Sequence, residues 1–149
     1  MSDFEQPKRY FLFGATGTGK TLFARQLAKK LGQEPYLKTT SGYWENYLNQ
    51  KVVLIDDITP KSMKYLIGLL PKWADCTPFY TSEKRNDYGK VLVPAKQINP
   101  CNYILVATSC YDPDDLFAEM DQYTRMKLER LMEFKHLDMA GLDEIKQMA

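Results

Sequence analysis

The octet Gly14-Ala15-Thr16-Gly17-Thr18-Gly19-Lys20-Thr21 fills the pattern G-x-x-x-x-G-K-[ST] without a gap. Residues of these types at this spacing do phosphate chemistry. The glycines let backbone N–H groups close on a phosphate, Lys20 brings a cation to the terminal phosphates, and Thr21 offers a hydroxyl to Mg²⁺. Downstream, the apolar run Val52-Val53-Leu54-Ile55 ends in Asp56-Asp57. An acid at the tip of such a strand holds Mg²⁺, and a second acid orients the attacking water. Asp56 is assigned to the metal, beside Thr21, and Asp57 to the water, with the reverse assignment open. Adjacent carboxylates tolerate each other there because the cation offsets their repulsion. A third polar group, Thr108-Ser109-Cys110, stands where side chains beside a γ-phosphate register its loss. These three groups imply a nucleoside triphosphate, with ATP as substrate and Mg²⁺ as cofactor.

The elements that must position these groups are legible nearby. Tyr10 to Phe13 form a short apolar run that suits a buried strand entering the loop. After the loop, Phe23, Leu27 and Leu31 recur every four residues, with Ala24 and Ala28 beside them, as on an amphipathic helix. That helix would aim its N-terminal dipole and free N–H groups at the phosphate. Gly32 closes it, and Tyr36-Leu37-Lys38 reads as a second strand. Val52 to Ile55 reads as a parallel strand buried on both faces. A helix is predicted from Pro60, with Met63, Leu66, Ile67 and Leu70 on one side and Pro71 interrupting it. Thr77 to Thr81 and Val91 to Val93 are predicted to pair as a hairpin around the polar turn Lys84 to Lys90. Tyr103 to Thr108 is another buried strand, and Asp121 to Leu137 looks helical. Strands separated by helical patterns indicate an α/β domain with a mostly parallel central sheet.

Composition narrows the function further. Apolar residues make up 44% of the chain and charged residues 26%, which suits a folded domain rather than a disordered tract. No run reaches the roughly 18 apolar residues of a membrane helix, and no partner membrane is expected. The single histidine, His136, is too few for a zinc site or a paired-histidine nuclease. Three cysteines without a C-x-x-C are expected as reduced thiols in an intracellular protein. The net charge of +1 conceals an asymmetry. Residues 1–111 carry 15 basic and 9 acidic side chains, while 112–149 carry 5 and 10. A basic body attracts nucleic acid, and an acidic end suits a neighbour's basic face or a solvated helix.

Taken in order, GATGTGKT, Tyr36-Leu37-Lys38, Gly42-Tyr43-Trp44-Glu45-Asn46-Tyr47, Val52 to Ile58 and Val106 to Ser109 carry a resemblance. The chain resembles the superfamily 3 helicase domain of the replication-associated (Rep) proteins of circular single-stranded DNA viruses and related plasmids. Trp44, Tyr47 and Asp56-Asp57 reproduce that family's Trp-x-x-Tyr segment before an Asp-Asp strand. The resemblance spans roughly residues 10 to 130. It implies a P-loop NTPase of the AAA+ type, a homo-hexameric ring and ATP-driven movement on single-stranded DNA, with RNA as the alternative strand. It places a hairpin with channel-facing lysines between Phe79 and Ile98, which puts Lys84 and Lys90 forward as nucleic-acid contacts, with Tyr88 available for stacking. It places an arginine finger near Arg130, with Arg125 close by. The expected compartment is the host nucleus for a eukaryotic DNA virus, and otherwise the cytoplasm.

The sequence also departs from that family. Its third motif commonly ends in asparagine, where this chain has Cys110, so the expectation is either that Ser109 or Thr108 serves as sensor or that the sensor is weakened. Only thirteen residues precede the octet, so the expectation is a single domain over 1–149, acidic and helical from about 112, without the relatives' nicking domain. Other readings are an RNA-helicase-like viral ATPase, a small nucleotide kinase, and an ATP-gated assembly module. The kinase would need an arginine-rich lid, and between Arg25 and Arg125 only Arg85 is available.

Overall fold

The computed structural model describes residues 7–15 and 19–138. Thr16, Gly17 and Thr18 of the octet, and the acidic segment beyond 138, lie outside the described residues. Five strands form the main sheet: β1 (Arg9–Phe13), β2 (Tyr36–Leu37), β3 (Val52–Ile55), β8 (Ile104–Ser109) and β9 (Glu133–His136). Their order is β2-β3-β8-β1-β9, and every pairing is parallel. β8 therefore lies between β1 and β3. The ends of all three strands that precede the chemically suggestive residues meet along one rim. This is the α/β fold of a P-loop NTPase.

Both faces of the sheet are covered, which explains the unbroken apolar strands. Helix α1 (Lys20–Lys30) packs Phe23, Ala24 and Ala28 against Leu12, Val52, Leu54 and Val106 on one face. On the other face, Phe11, Val53, Ile55, Leu105 and Ala107 meet α2 (Pro60–Leu66), α3 (Leu70–Ala74), α4 (Pro113–Leu116) and α5 (Gln122–Leu131). Residues two apart along each strand share a face, so Val52 and Leu54 serve α1 while Val53 and Ile55 serve the opposite layer.

The helix predicted from Pro60 is two helices. The break falls at Ile67 to Leu69, and Pro71 lies in the first turn of α3 rather than ending α2. A proline there sacrifices no intrahelical hydrogen bond, so it starts a helix as readily as it stops one. The segment from Asp121 to Leu137 is also not one helix. α5 ends at Leu131, and Glu133 to His136 extend as β9 beside β1. Phe134 stacks on Phe11 with ring centroids 5.0 Å apart, a contact that exists only once β1 is in place. The acidic C-terminal part is thus helical in α4 and α5 and a strand after them.

Beyond β2, Lys38 is buried, with no carboxylate in hydrogen-bond contact among the described residues. Its Nζ donates to the carbonyls of Thr39 and Ser41 at 2.8 and 2.6 Å and lies 4.5 Å from the Trp73 ring centroid. Burial lowers its pKa from 10.5 to about 8. Between those values the unfolded chain holds a proton that the folded chain has released, so stability rises with pH across this window. Compared with Lys38→Met, the wild type is expected to gain on the order of 3 kcal/mol from pH 8 to 10.5, measured by urea unfolding. A flat difference between the two proteins would show that the ammonium keeps its charge in the fold.

Among the described residues no helix is long and apolar enough to cross a membrane.

Candidate functional site

The rim of the sheet brings the sequence motifs together. β1 runs into the loop at Gly14, whose φ of 145° suits glycine. A Cβ at this position would run into the carbonyl oxygen of Leu137, just beyond β9. Gly19 caps α1 in the left-handed region, and the helix begins at Lys20. Lys20 is only 6% exposed. Its Nζ donates to the carbonyls of Gly14 and Ala15 at 2.7 and 2.9 Å and lies 3.8 Å from the Cys110 sulfur. The ammonium is therefore held inside the curl of its own loop.

Asp56 and Asp57 follow β3 on the same rim. The Thr21 hydroxyl donates to Asp56 Oδ1 at 3.0 Å, and the Thr108 hydroxyl donates to the same oxygen at 2.6 Å. Asp57 adopts φ 56°, a left-handed conformation that aspartate tolerates. Its N–H donates to Thr108 Oγ1 at 2.9 Å. The next residue is tied as well, Ile58 N–H donating to the Thr108 carbonyl at 2.8 Å. Two residues on, Thr59 and Ser62 close a reciprocal capping box that fixes the start of α2. The two aspartates are thus gripped between β8 and a capped helix.

Thr21 and Asp56 provide one neutral and one anionic oxygen at the mouth of the loop. That hard donor set fits Mg²⁺, which keeps several waters and takes phosphate oxygens for its other positions. Among the described residues no group of three or more His, Cys, Asp or Glu side chains could form an all-protein metal cage.

Ser109, the other sensor candidate, faces the backbone after Asp57. It is fully buried, donating to the Ile58 carbonyl at 2.6 Å and accepting from Tyr111 N–H at 3.0 Å. Successive residues of a strand face opposite ways, so Ser109 braces the backbone after Asp57 while Thr108 reaches the carboxylate. Cys110 occupies the place beside Lys20. Thr108→Val keeps the shape but removes the link between Asp56 and the Asp57 N–H. We expect it to cost about 1–3 kcal/mol of stability by thermal denaturation and to slow hydrolysis through a displaced Asp56. Unchanged values of both would remove Thr108 from the site.

The stretch from Phe79 to Ile98 forms an arm, paired differently from the sequence expectation. β4 (Phe79–Tyr80) pairs with β7 (Gln97–Ile98), and β5 (Lys84–Arg85) pairs with β6 (Val91–Val93). Thr77 to Thr81 does not meet Val91 to Val93, because the arm contains two successive ladders rather than one. Asn86 organises the tip, its side-chain oxygen accepting from Tyr88 N–H and Lys90 N–H at 2.9 Å each. Tyr88 is 96% exposed there, and Lys90 is exposed beside it. Lys84 lies nearer the body, 5.6 Å from the Tyr43 ring centroid. The two lysines therefore occupy different parts of the arm.

The two arginines are placed differently: Arg125 lines a pocket that also contains Phe13, the last residue of β1, and Asp112, just beyond β8. Arg125 is held by Asp114 and by Glu129, the latter at 3.1 Å. Arg130 is exposed in the last turn of α5 and makes no ion pair among the described residues. It comes three residues before β9 begins, at the end of that strand away from Leu137 and the phosphate loop.

The sequence patterns did not signal the Thr108–Asp56 bond, the Lys20–Cys110 contact or the approach of Leu137 to Gly14. Each joins distant segments. The family model described as RNA helicase matches residues 10–92, more than half of the chain. That span includes β1 from Tyr10, the octet, Asp56-Asp57 and the arm through Leu92, and stops before Thr108. Among curated proteins, none matches the chain.

Proposed function

The chain belongs to the RNA helicase family, and from that premise we propose that it is an ATP-hydrolysing motor of superfamily 3 type. In this reading a ring of six copies draws single-stranded nucleic acid past the arm. The observation that carries the proposal is the meeting of Lys20, Thr21, Asp56 and Thr108 on one rim. Lys20 would exchange its loop carbonyls for the β- and γ-phosphate oxygens. Thr21 and Asp56 would hold Mg²⁺, which supplies charge neutralisation on those oxygens when bound. Asp57 would orient the water in line with the γ-phosphorus, and Thr108 would keep both acids in place. Nearly all of the rate gain in such a site comes from positioning and electrostatics.

Arg130 acts across the subunit boundary in this scheme. It is far from its own loop, so its charge serves a neighbour's phosphates. Lys90 and Tyr88 at the arm tip would hold a backbone phosphate and stack on a base. Lys84 contributes nearer the root. The strand is single-stranded DNA on the resemblance carried by Trp44, Tyr47 and Asp56-Asp57, and the function is then in rolling-circle replication. The description of the matched family favours RNA as a second reading.

Hydrolysis measured with and without single-stranded DNA and RNA distinguishes these readings. DNA stimulation that Lys90→Ala removes supports the motor on DNA, and RNA stimulation alone selects the second reading. Hydrolysis indifferent to both would sink translocation. A mixing assay tests Arg130 separately. Lys20→Ala and Arg130→Ala, each inactive alone, should recover part of the activity when mixed, because some interfaces then combine an intact loop with an intact arginine. No recovery in mixed rings would refute the crossing arginine.

A further inference from the structure

The arm leaves the body just after α3, at Cys76, and returns at Cys101 in the 3-10 turn Pro100–Asn102 that leads into β8. The two cysteines are 25 residues apart in sequence, and every residue of the arm lies between them. At the root they touch. The Cys101 thiol donates to the Cys76 carbonyl oxygen at 3.5 Å.

Arg9, almost fully buried at the start of β1, holds both sides of this root. Its Nε donates to the Ala74 carbonyl at 2.9 Å, Nη1 to the Tyr103 carbonyl and Nη2 to the Pro100 carbonyl, each at 2.5 Å. Nη2 also lies 3.8 Å from the Cys76 sulfur. One guanidinium thus fixes the chain where it departs and where it returns, and keeps the thiols in register without a covalent bond.

We propose that Cys76 and Cys101 are a thiol–disulfide pair that closes the arm at its root when a small disulfide such as oxidised glutathione is in excess. Cys101 is exposed and Cys76 half-buried, so the small disulfide meets Cys101 first. The Cys101 thiolate attacks one glutathione sulfur, the glutathione S–S bond breaks, and one glutathione thiolate leaves. The Cys76 thiolate then attacks the Cys101 sulfur and expels the second. Two thiol protons pass to two glutathione molecules. The protein loses two electrons, which the small disulfide gains. Cys76 takes the second, intramolecular step because the root already holds Cys101 against it. The link removes freedom from the unfolded chain and restrains the arm against the body. It does not depend on what the arm binds.

The test is to equilibrate the whole chain in defined ratios of oxidised to reduced glutathione, quench with acid, unfold, and count thiols with a maleimide of high mass. Labelled thiols should fall from three to one, leaving Cys110. Tm should rise by roughly 5–10 °C and return on reduction. Backbone amides of residues 77–100 should exchange more slowly in the oxidised form. Cys101→Ser, a change at an exposed side chain, should show no intramolecular link and no rise in Tm. Three labelled thiols at every ratio, a stable glutathione adduct in place of the link, a bond to Cys110, or an equal rise in Cys101→Ser would each overturn the proposal.

Discussion

Replacing Lys20 with alanine is expected to lower ATP hydrolysis on the order of 100- to 1000-fold while leaving the fold intact. The size follows from the site. Removing one well-placed charge or donor from a preorganised, largely water-excluded site costs about two to three powers of ten in rate. Lys20 fits that description, being 6% exposed with its ammonium fixed at 2.7 and 2.9 Å from two loop carbonyls. The fold should survive because Lys20 opens α1, and alanine is the strongest helix former available there. Gly14 and Ala15 lose a partner, but Gly14 keeps its backbone bond to the Ser109 carbonyl at 3.1 Å. Lys20→Arg should fail similarly, because a planar guanidinium does not fit a loop closed around a compact ammonium. The check is Mg²⁺-dependent hydrolysis beside a thermal melt. Activity within about threefold of wild type would remove Lys20 from the phosphate site.

Trp44→Ala is expected to cost about 3–5 kcal/mol of stability, a large share of the roughly 5–15 kcal/mol available to a domain. Trp44 is 1% exposed at the centre of an aromatic cluster. Its ring centroid lies 5.1 Å from Tyr47, 5.7 Å from Tyr36 and Trp73, and 5.8 Å from Phe79 and Tyr103. Apart from the neighbouring Tyr47, these partners come from β2, α3, the arm and the residue before β8, so one side chain joins four other segments. Phe79 is the arm's own contribution, which makes the cluster its foundation. Trp44→Phe should be much milder, on the order of 1 kcal/mol. The indole N–H has no hydrogen-bond partner among the described residues, so losing it sacrifices no bond. Urea unfolding of both variants decides between packing and ligand contact. Weakened nucleic-acid binding at unchanged stability would identify Trp44 as a surface for the strand instead.

Local pattern carried a good deal of this protein. The octet, the buried strand ending in Asp56-Asp57, and the helix through Phe23, Ala24 and Ala28 were legible because each rests on neighbouring residues and one period. The P-loop fold followed from their order. Other assignments needed partners remote in the chain. Glu133 to His136 carry no strong strand signal, and β9 exists because Phe134 finds Phe11 and the backbone finds the open edge of β1. Val91 to Val93 were read as pairing with Thr77 to Thr81, since alternation marks a strand without naming its partner. Ser109 and Thr108 are equally plausible as sensors in sequence, and only strand parity in the folded sheet turns the threonine towards Asp56. The burial of Lys38 was invisible for the same reason. A lysine after a short strand is ordinarily solvated, and what encloses this one is a pair of indoles, at positions 44 and 73, that come from elsewhere in the chain. Residue types and spacing determined which chemistry this chain can offer. The tertiary structure decided which atoms face it, because facing is a property of distances between segments that sequence order does not contain.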